Sequence, residues 1–135
     1  MVNALYDSGR EGFLAGNIDW DGDVIRLVFV DHADDTPSVT LDDNLDDILA
    51  VARVAISPVF AGKTTTDGVA DANDVTVPGV TGDIFESITI YQDTGNEATS
   101  ILIVYIDTAT NLPFTPNGGD VVVQWNNGAN RIFRL

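Results

Sequence analysis

Apolar positions in the first fifty residues recur twice at helical spacing and once as a short continuous run. Leu5, Phe13 and Leu14 fall at helical intervals, and Gly16-Asn17 supplies a stop, which predicts a short helix over Leu5 to Ala15. Asp19-Trp20-Asp21-Gly22-Asp23 reads as a turn, since Asp and Gly favour tight, side-chain-bonded backbone. Val24 to Val30 is β-branched and too short for a typical helix, so it is expected to be a strand buried on both faces. Asp31 to Ser38 is polar, contains Pro37 and reads as loop. Beyond it Leu41, Leu45, Ile48 and Leu49 follow an i, i+4, i+7, i+8 pattern, with Asp42, Asp43, Asp46 and Asp47 opposite. That spacing, behind a Thr40 cap with Asp43 three residues on, predicts a second, amphipathic helix.

From Arg53 onward the period becomes two. Arg53 to Phe60 is expected to be a strand, with Pro58 placing it at an edge or a bulge. Short strands are expected at Lys63 to Thr66 and Val75 to Val77, on either side of Asp67-Gly68. Phe85 to Gln92 and Ser100 to Asp107 alternate well enough to form a hairpin. A second hairpin is expected between Asp120 to Trp125 and Arg131 to Leu135, because Asn126-Asn127-Gly128 contains the strongest short hairpin signal. Strands dominate and helices are confined to the first third. The predicted fold is therefore mainly β: an antiparallel β-sandwich or small barrel with one or two short helices, and one domain spanning 1–135.

Charge narrows the partners. The chain carries 21 carboxylates against 6 Lys and Arg, a net charge of −15, and such a surface repels nucleic acid and anionic lipid. The imbalance is uneven, because residues 108–135 hold only Asp120 against Arg131 and Arg134. Association through that end meets the least like-charge repulsion, so Arg131 and Arg134 are the candidate interface residues. The start, Met1 to Ser8, has no basic and apolar signal pattern, and no apolar run reaches the roughly 20 residues of a membrane span, so neither export by a leader nor a membrane partner is expected. Arg131 to Leu135 could be tied down by its hairpin, whereas Met1 to Leu5 has no partner in the sequence. One or both ends are thus expected to pack on a neighbouring subunit.

The residues that carry chemistry are few. There is no cysteine, and His32 is the single histidine; it sits among Asp31, Asp34 and Asp35, and its expected place is a solvated loop. Asp19, Asp21 and Asp23 suggest a calcium loop, yet its glycine stands fourth and its twelfth residue is Val30, where an EF-hand needs Gly at six and Glu at twelve. Asp71-Ala72-Asn73-Asp74 is a similar weak candidate, and turn chemistry is the better account of both. Gly62-Lys63-Thr64 lacks the earlier glycine of a phosphate loop. Trp125 is expected to pair across a strand with Arg131 or Phe133. No catalytic residue, metal ligand or cofactor follows from these patterns.

Several stretches do match a known group in order and spacing. They are Gly9-Arg10-Glu11-Gly12-Phe13-Leu14-Ala15-Gly16-Asn17-Ile18-Asp19-Trp20, Gly62-Lys63-Thr64 to Ala72, Ile90-Tyr91-Gln92-Asp93-Thr94-Gly95, and Tyr105-Ile106-Asp107-Thr108-Ala109-Thr110-Asn111-Leu112-Pro113. The C-terminal Thr115-Pro116-Asn117-Gly118-Gly119-Asp120, with Trp125 and Arg131 to Leu135, completes the set. With these the chain resembles small structural proteins of tailed-phage and prophage particles, and it departs from them in the acidic stretches Asp31 to Asp35 and Asp42 to Asp47. The resemblance implies a non-enzymatic virion protein, assembled in a host cytoplasm, that self-associates and contacts the major capsid protein or other virion proteins. An outer-capsid decoration, or cement, role is expected, since an inner-surface protein of charge −15 would face packed DNA. A tail, connector or host-attachment component is the alternative.

Overall fold

A computed structural model describes residues 3–135. Its centre is a five-stranded antiparallel sheet in the order β1-β7-β6-β2-β3. These strands are β1 (Ala4–Leu5), β2 (Ile25–Val30), β3 (Arg53–Ile56), β6 (Ser87–Gln92) and β7 (Leu102–Ile106). The expected hairpin of residues 85–92 and 100–107 is present as β6 and β7, with Ile88 opposite Ile106 and Ile90 opposite Val104. β2 lies along β6 from Ile25 opposite Gln92 to Val30 opposite Ser87. Its alternate residues feed two cores, Ile25, Leu27 and Phe29 on one face and Val28 and Val30 on the other, which is why the run carries no polar stripe. β3 is an edge strand and ends before Pro58, in keeping with the missing N–H of proline.

One face of this sheet is covered by two short ribbons, β4 (Val69–Ala70) with β9 (Phe133–Arg134), and β5 (Val75–Val77) with β8 (Val121–Val123). Trp20, Phe60, Phe85 and Phe133 fill the space between, with Phe85 stacked on Phe29 at 4.1 Å. The opposite face is covered by the segment around residues 45–52, where Leu45, Ile48 and Ala52 pack with Tyr6, Tyr91 and Tyr105. The molecule is mainly β and sandwich-like, with an open rather than closed barrel arrangement.

The single α-helix among the described residues, α1 (Asp7–Leu14), lies where the periodicity puts it and turns Phe13 toward the core, but its closest contact is made by a different set of residues. Ser8, Gly9 and Gly12 are buried, while Leu14 is 90% exposed. A side chain at Gly9 would come within 2.9 Å of the Ile103 Cα, so the helix approaches β7 closely because its inner face is small. Ser8 Oγ donates to the Leu102 carbonyl at 3.0 Å across the same contact.

Four expectations are corrected. The amphipathic helix over residues 41–49 is absent: the segment holds only 3-10 turns at Leu45–Asp47 and Ala50–Ala52, and Leu41 is 80% exposed. Its aspartates bond the backbone locally instead, with Asp42 Oδ2 accepting from Ser38 N at 2.7 Å and Asp47 Oδ2 from Asp43 N at 2.8 Å. The C-terminal hairpin is also absent, since β8 and β9 pair with two parts of the stretch 69–77 and not with each other. The intervening loop is shaped by a local Asn126 to Gly128 turn and is pinned where Asp74 Oδ1 accepts from Trp125 N at 3.1 Å. At Lys63 to Thr66 there is only a bridge, Thr64 opposite Asp71, followed by a turn in which Asp67 adopts a φ of 58°, so the strand starts later, at Val69. Finally, the N-terminal segment has an intramolecular partner. Ala4 and Leu5 pair with Tyr105 and Val104, and Asn3 Oδ1 accepts from Asp107 N and Thr108 N, each at 3.0 Å. Met1 and Val2, the rest of the arm expected to be partnerless, lie outside the described residues.

Candidate functional site

His32 follows β2 and is more constrained than a loop position suggests. Its Nε2 lies 2.8 Å from Ser87 Oγ, its ring stacks on Tyr105 at 6.3 Å, and its backbone N–H donates to Glu86 at 2.8 Å. A serine within hydrogen-bond reach of a histidine is half of a nucleophilic pair. Ser87, however, is fully buried in β6, so its hydroxyl is shut off from any substrate arriving through solvent. Long-range pairing of β2 with β6 creates this contact, and no local sequence signal marks it.

The acidic turn at Asp19 to Asp23 spends its carboxylates on the chain. Asp19 Oδ1 accepts from Gly22 N, and Asp23 Oδ2 accepts from both Asp19 N and Gln92 Nε2; Lys63 Nζ donates to the Asp23 carbonyl. In the 69–77 stretch the Asp74 carboxylate accepts from Trp125 N, whereas Asp71 pairs with Thr64 through backbone alone and its carboxylate lies 4.0 Å from Arg131. The structure brings together a different trio, Asp31, Asp34 and Asp83, whose carboxylate oxygens lie within 4.8 Å of one another. Hard cations take such oxygens, but Asp31 Oδ1 here accepts from Ala33 N at 2.8 Å as a turn residue. Burial pushes the Asp42 carboxyl above its ordinary value, assisted by the charges of Asp35 and Asp47 and opposed by the Ser38 N–H.

Arg131 and Arg134 lie together at the C-terminal end. Arg131 holds a φ of 44°, its guanidinium donates to Asn127 Oδ1 at 3.2 Å, and it lies 4.0 Å from Asp71. Arg134, on β9, makes no ion pair or hydrogen bond through its side chain among the described residues. Both border an open groove of about 840 Å³ that also contains Asp67 and Asp71, which neutralise them formally. The surplus counted along the sequence is therefore cancelled on this side by acids arriving from β4 and its turn.

On the other side of the same arginines the balance is different. A second groove, of about 610 Å³, is floored by Leu5, Ile88, Val104 and Ile106 and bordered by Val123 to Asn126 and Arg131 to Arg134. It continues along β8 into a space of about 370 Å³ over Phe29 and Phe85, with residues 109–112 as its outer lip. No Asp or Glu lines either part, although the chain has 21, whereas two of its six cations do. Trp125 stands at this groove rather than in a strand pair with Arg131 or Phe133. Its ring packs on Phe60 at 5.6 Å and its Nε1 donates to the Asn73 carbonyl. The chain matches no protein-family model and no curated protein.

Proposed function

We propose that this chain is a non-enzymatic structural protein of a tailed-phage particle that decorates the outer capsid. The resemblance of its motifs to small virion proteins names the assembly. The observation that carries a docking role is the one-sided charge: acids crowd the chain, yet the groove beside β8 and β9 has none and is bordered by Arg131 and Arg134. An acidic protein that coats a lattice gains from such a face, because it is where approach to another acidic surface meets least repulsion. The engagement of Asp19 and Asp31 in turns, and the burial of Ser87, support a role without chemistry.

Attachment is tested by copy number and by charge reversal. Quantified against the major capsid protein in purified particles, a decoration protein occurs in proportion to the capsid lattice, whereas a handful of copies would replace this reading with a tail, connector or attachment role. Arg134→Glu alters an exposed side chain with no partner among the described residues, and should leave stability within about 0.5 kcal/mol while weakening attachment. Arg131→Glu is the poorer probe, since it sets a carboxylate beside Asp71. Normal attachment of a folded Arg134→Glu variant would reject this docking face.

A further inference from the structure

We propose that the groove along β8 receives an extended, acidic segment of another polypeptide, which adds to the ribbon as a further strand. β8 pairs with β5 on one side only, and among the described residues no backbone bond reaches its other edge. An open edge of this kind is a template for main-chain hydrogen bonding, and proteins usually blunt it with proline or charge. β3 is followed by Pro58 and carries Arg53, and β5 is flanked by Asp74 and Pro78. β8 (Val-Val-Val) carries neither within its length, and the carboxylate of Asp120 just before it accepts from Gly79 N on the β5 side, away from the open edge.

The surroundings of that edge suit a single strand. Leu5, Ile106, Leu112, Val121, Val123 and Ile132 are only half-buried although they pack against the core, so the sandwich is incompletely covered here. The two short ribbons leave Leu5 of β1 and Ile106 of β7 half-buried, so the second layer does not fully cover the β7 and β1 side. The space lined by β8 and residues 109–112 is only about 370 Å³, which suits an extended chain better than the flank of another folded copy. Apolar residues at alternate positions would meet the floor, and carboxylates would meet Arg134 and Arg131 at the end near β9, while a basic segment would gain nothing from a groove without acids.

This inference goes beyond the particle reading and shares only its face: peptide binding is measured on the isolated protein, attachment on the particle, so each can fail alone. The probe is a capped peptide, Thr-Val-Glu-Val-Thr-Val-Glu-Val-Thr, compared with its Lys-for-Glu counterpart and with a version carrying proline at the central Thr. Trp125 borders the groove while Trp20 is buried in the core, so tryptophan emission reports occupancy. The acidic peptide should bind saturably, protect the β8 amides from hydrogen exchange, and lose about tenfold in affinity on Arg134→Glu. The lysine and proline peptides should bind at least that much more weakly. The proposal is overturned by absence of saturable binding, by equal affinity for the lysine or proline peptide, or by acidic-peptide affinity unchanged in Arg134→Glu. It is equally overturned if sedimentation shows a dimer that protects β8 without added peptide, since a second copy would then be the occupant.

Discussion

Gly9 shows how one residue sets the distance between two elements. With 2.9 Å between its missing Cβ and the Ile103 backbone, Gly9→Ala must push α1 off β7, and overpacking of this kind costs about 1–3 kcal/mol. Gly12 is the natural comparison: a side chain there would meet the Ile18 side chain, 2.5 Å from Cδ1 and 2.8 Å from Cγ1, and no backbone, so buried Ile18 must shift while alanine regains about 1 kcal/mol of helix propensity that offsets part of the cost. Urea denaturation of the two variants should separate them clearly, and a Gly9→Ala protein as stable as its parent would refute the close contact. Helical periodicity locates this helix and the inward Phe13, which packs on Phe133, but includes the exposed Leu14 and passes over the small residues that face β7. Contact depth here depends on what is missing from Ser8, Gly9 and Gly12.

At the scale of elements, Arg53 does what a helix was expected to do for residues 41–49. Its guanidinium donates to the Ile48 carbonyl at 2.9 Å from Nε and 2.6 Å from Nη2, to the Leu45 carbonyl at 2.8 Å, and to Glu97 at 2.8 Å. These bonds gather the Leu45 and Ile48 carbonyls on one guanidinium and hold the 3-10 turns over Tyr6 and Tyr91. Lysine offers a point charge in place of the planar fork, so Arg53→Lys should cost about 1–3 kcal/mol, read as a lower urea midpoint with faster exchange at residues 45–52. An unchanged midpoint would mean that the segment is held by burial of Leu45 and Ile48 alone. Of the apolar positions spaced along 41–49, Leu45 and Ile48 are buried. Leu41 and Leu49 are exposed because the neighbouring aspartates bond the backbone and break the helical register.

For the whole molecule, three buried tyrosines on the sheet face make stability depend on alkaline pH. Burial raises all three phenols. Tyr91 and Tyr105 reach about 12, aided by the charges of Asp93 and Asp107 respectively, and Tyr6 is raised further despite its hydrogen bond to Thr89. Each folded value lies above the unfolded one, about 10, so the stabilisation is complete below that pH and is lost as pH rises through the folded values. Unfolding monitored by circular dichroism should therefore set in between about pH 10 and 12, together with the phenolate absorbance change. Phenolate absorbance that rises for all tyrosines near pH 10 while the fold persists would show the rings to be accessible.

The sequence by itself determined the mainly antiparallel architecture, the early helix, the β6–β7 hairpin and the two-faced burial of β2. Each follows from periodicity over adjacent residues, and for the hairpin from a connection short enough to leave little choice of partner. Only the tertiary structure decided the pairing of β8 and β9 with residues 69–77, the Ser87 to His32 contact, the Asp31, Asp34 and Asp83 trio, and which side of Arg131 and Arg134 is free of acids. These depend on which distant segments share an edge. A signal as strong as Asn127-Gly128 specifies only a local turn, and the flanking strands go to whichever unpaired backbone the folded sheet leaves nearest.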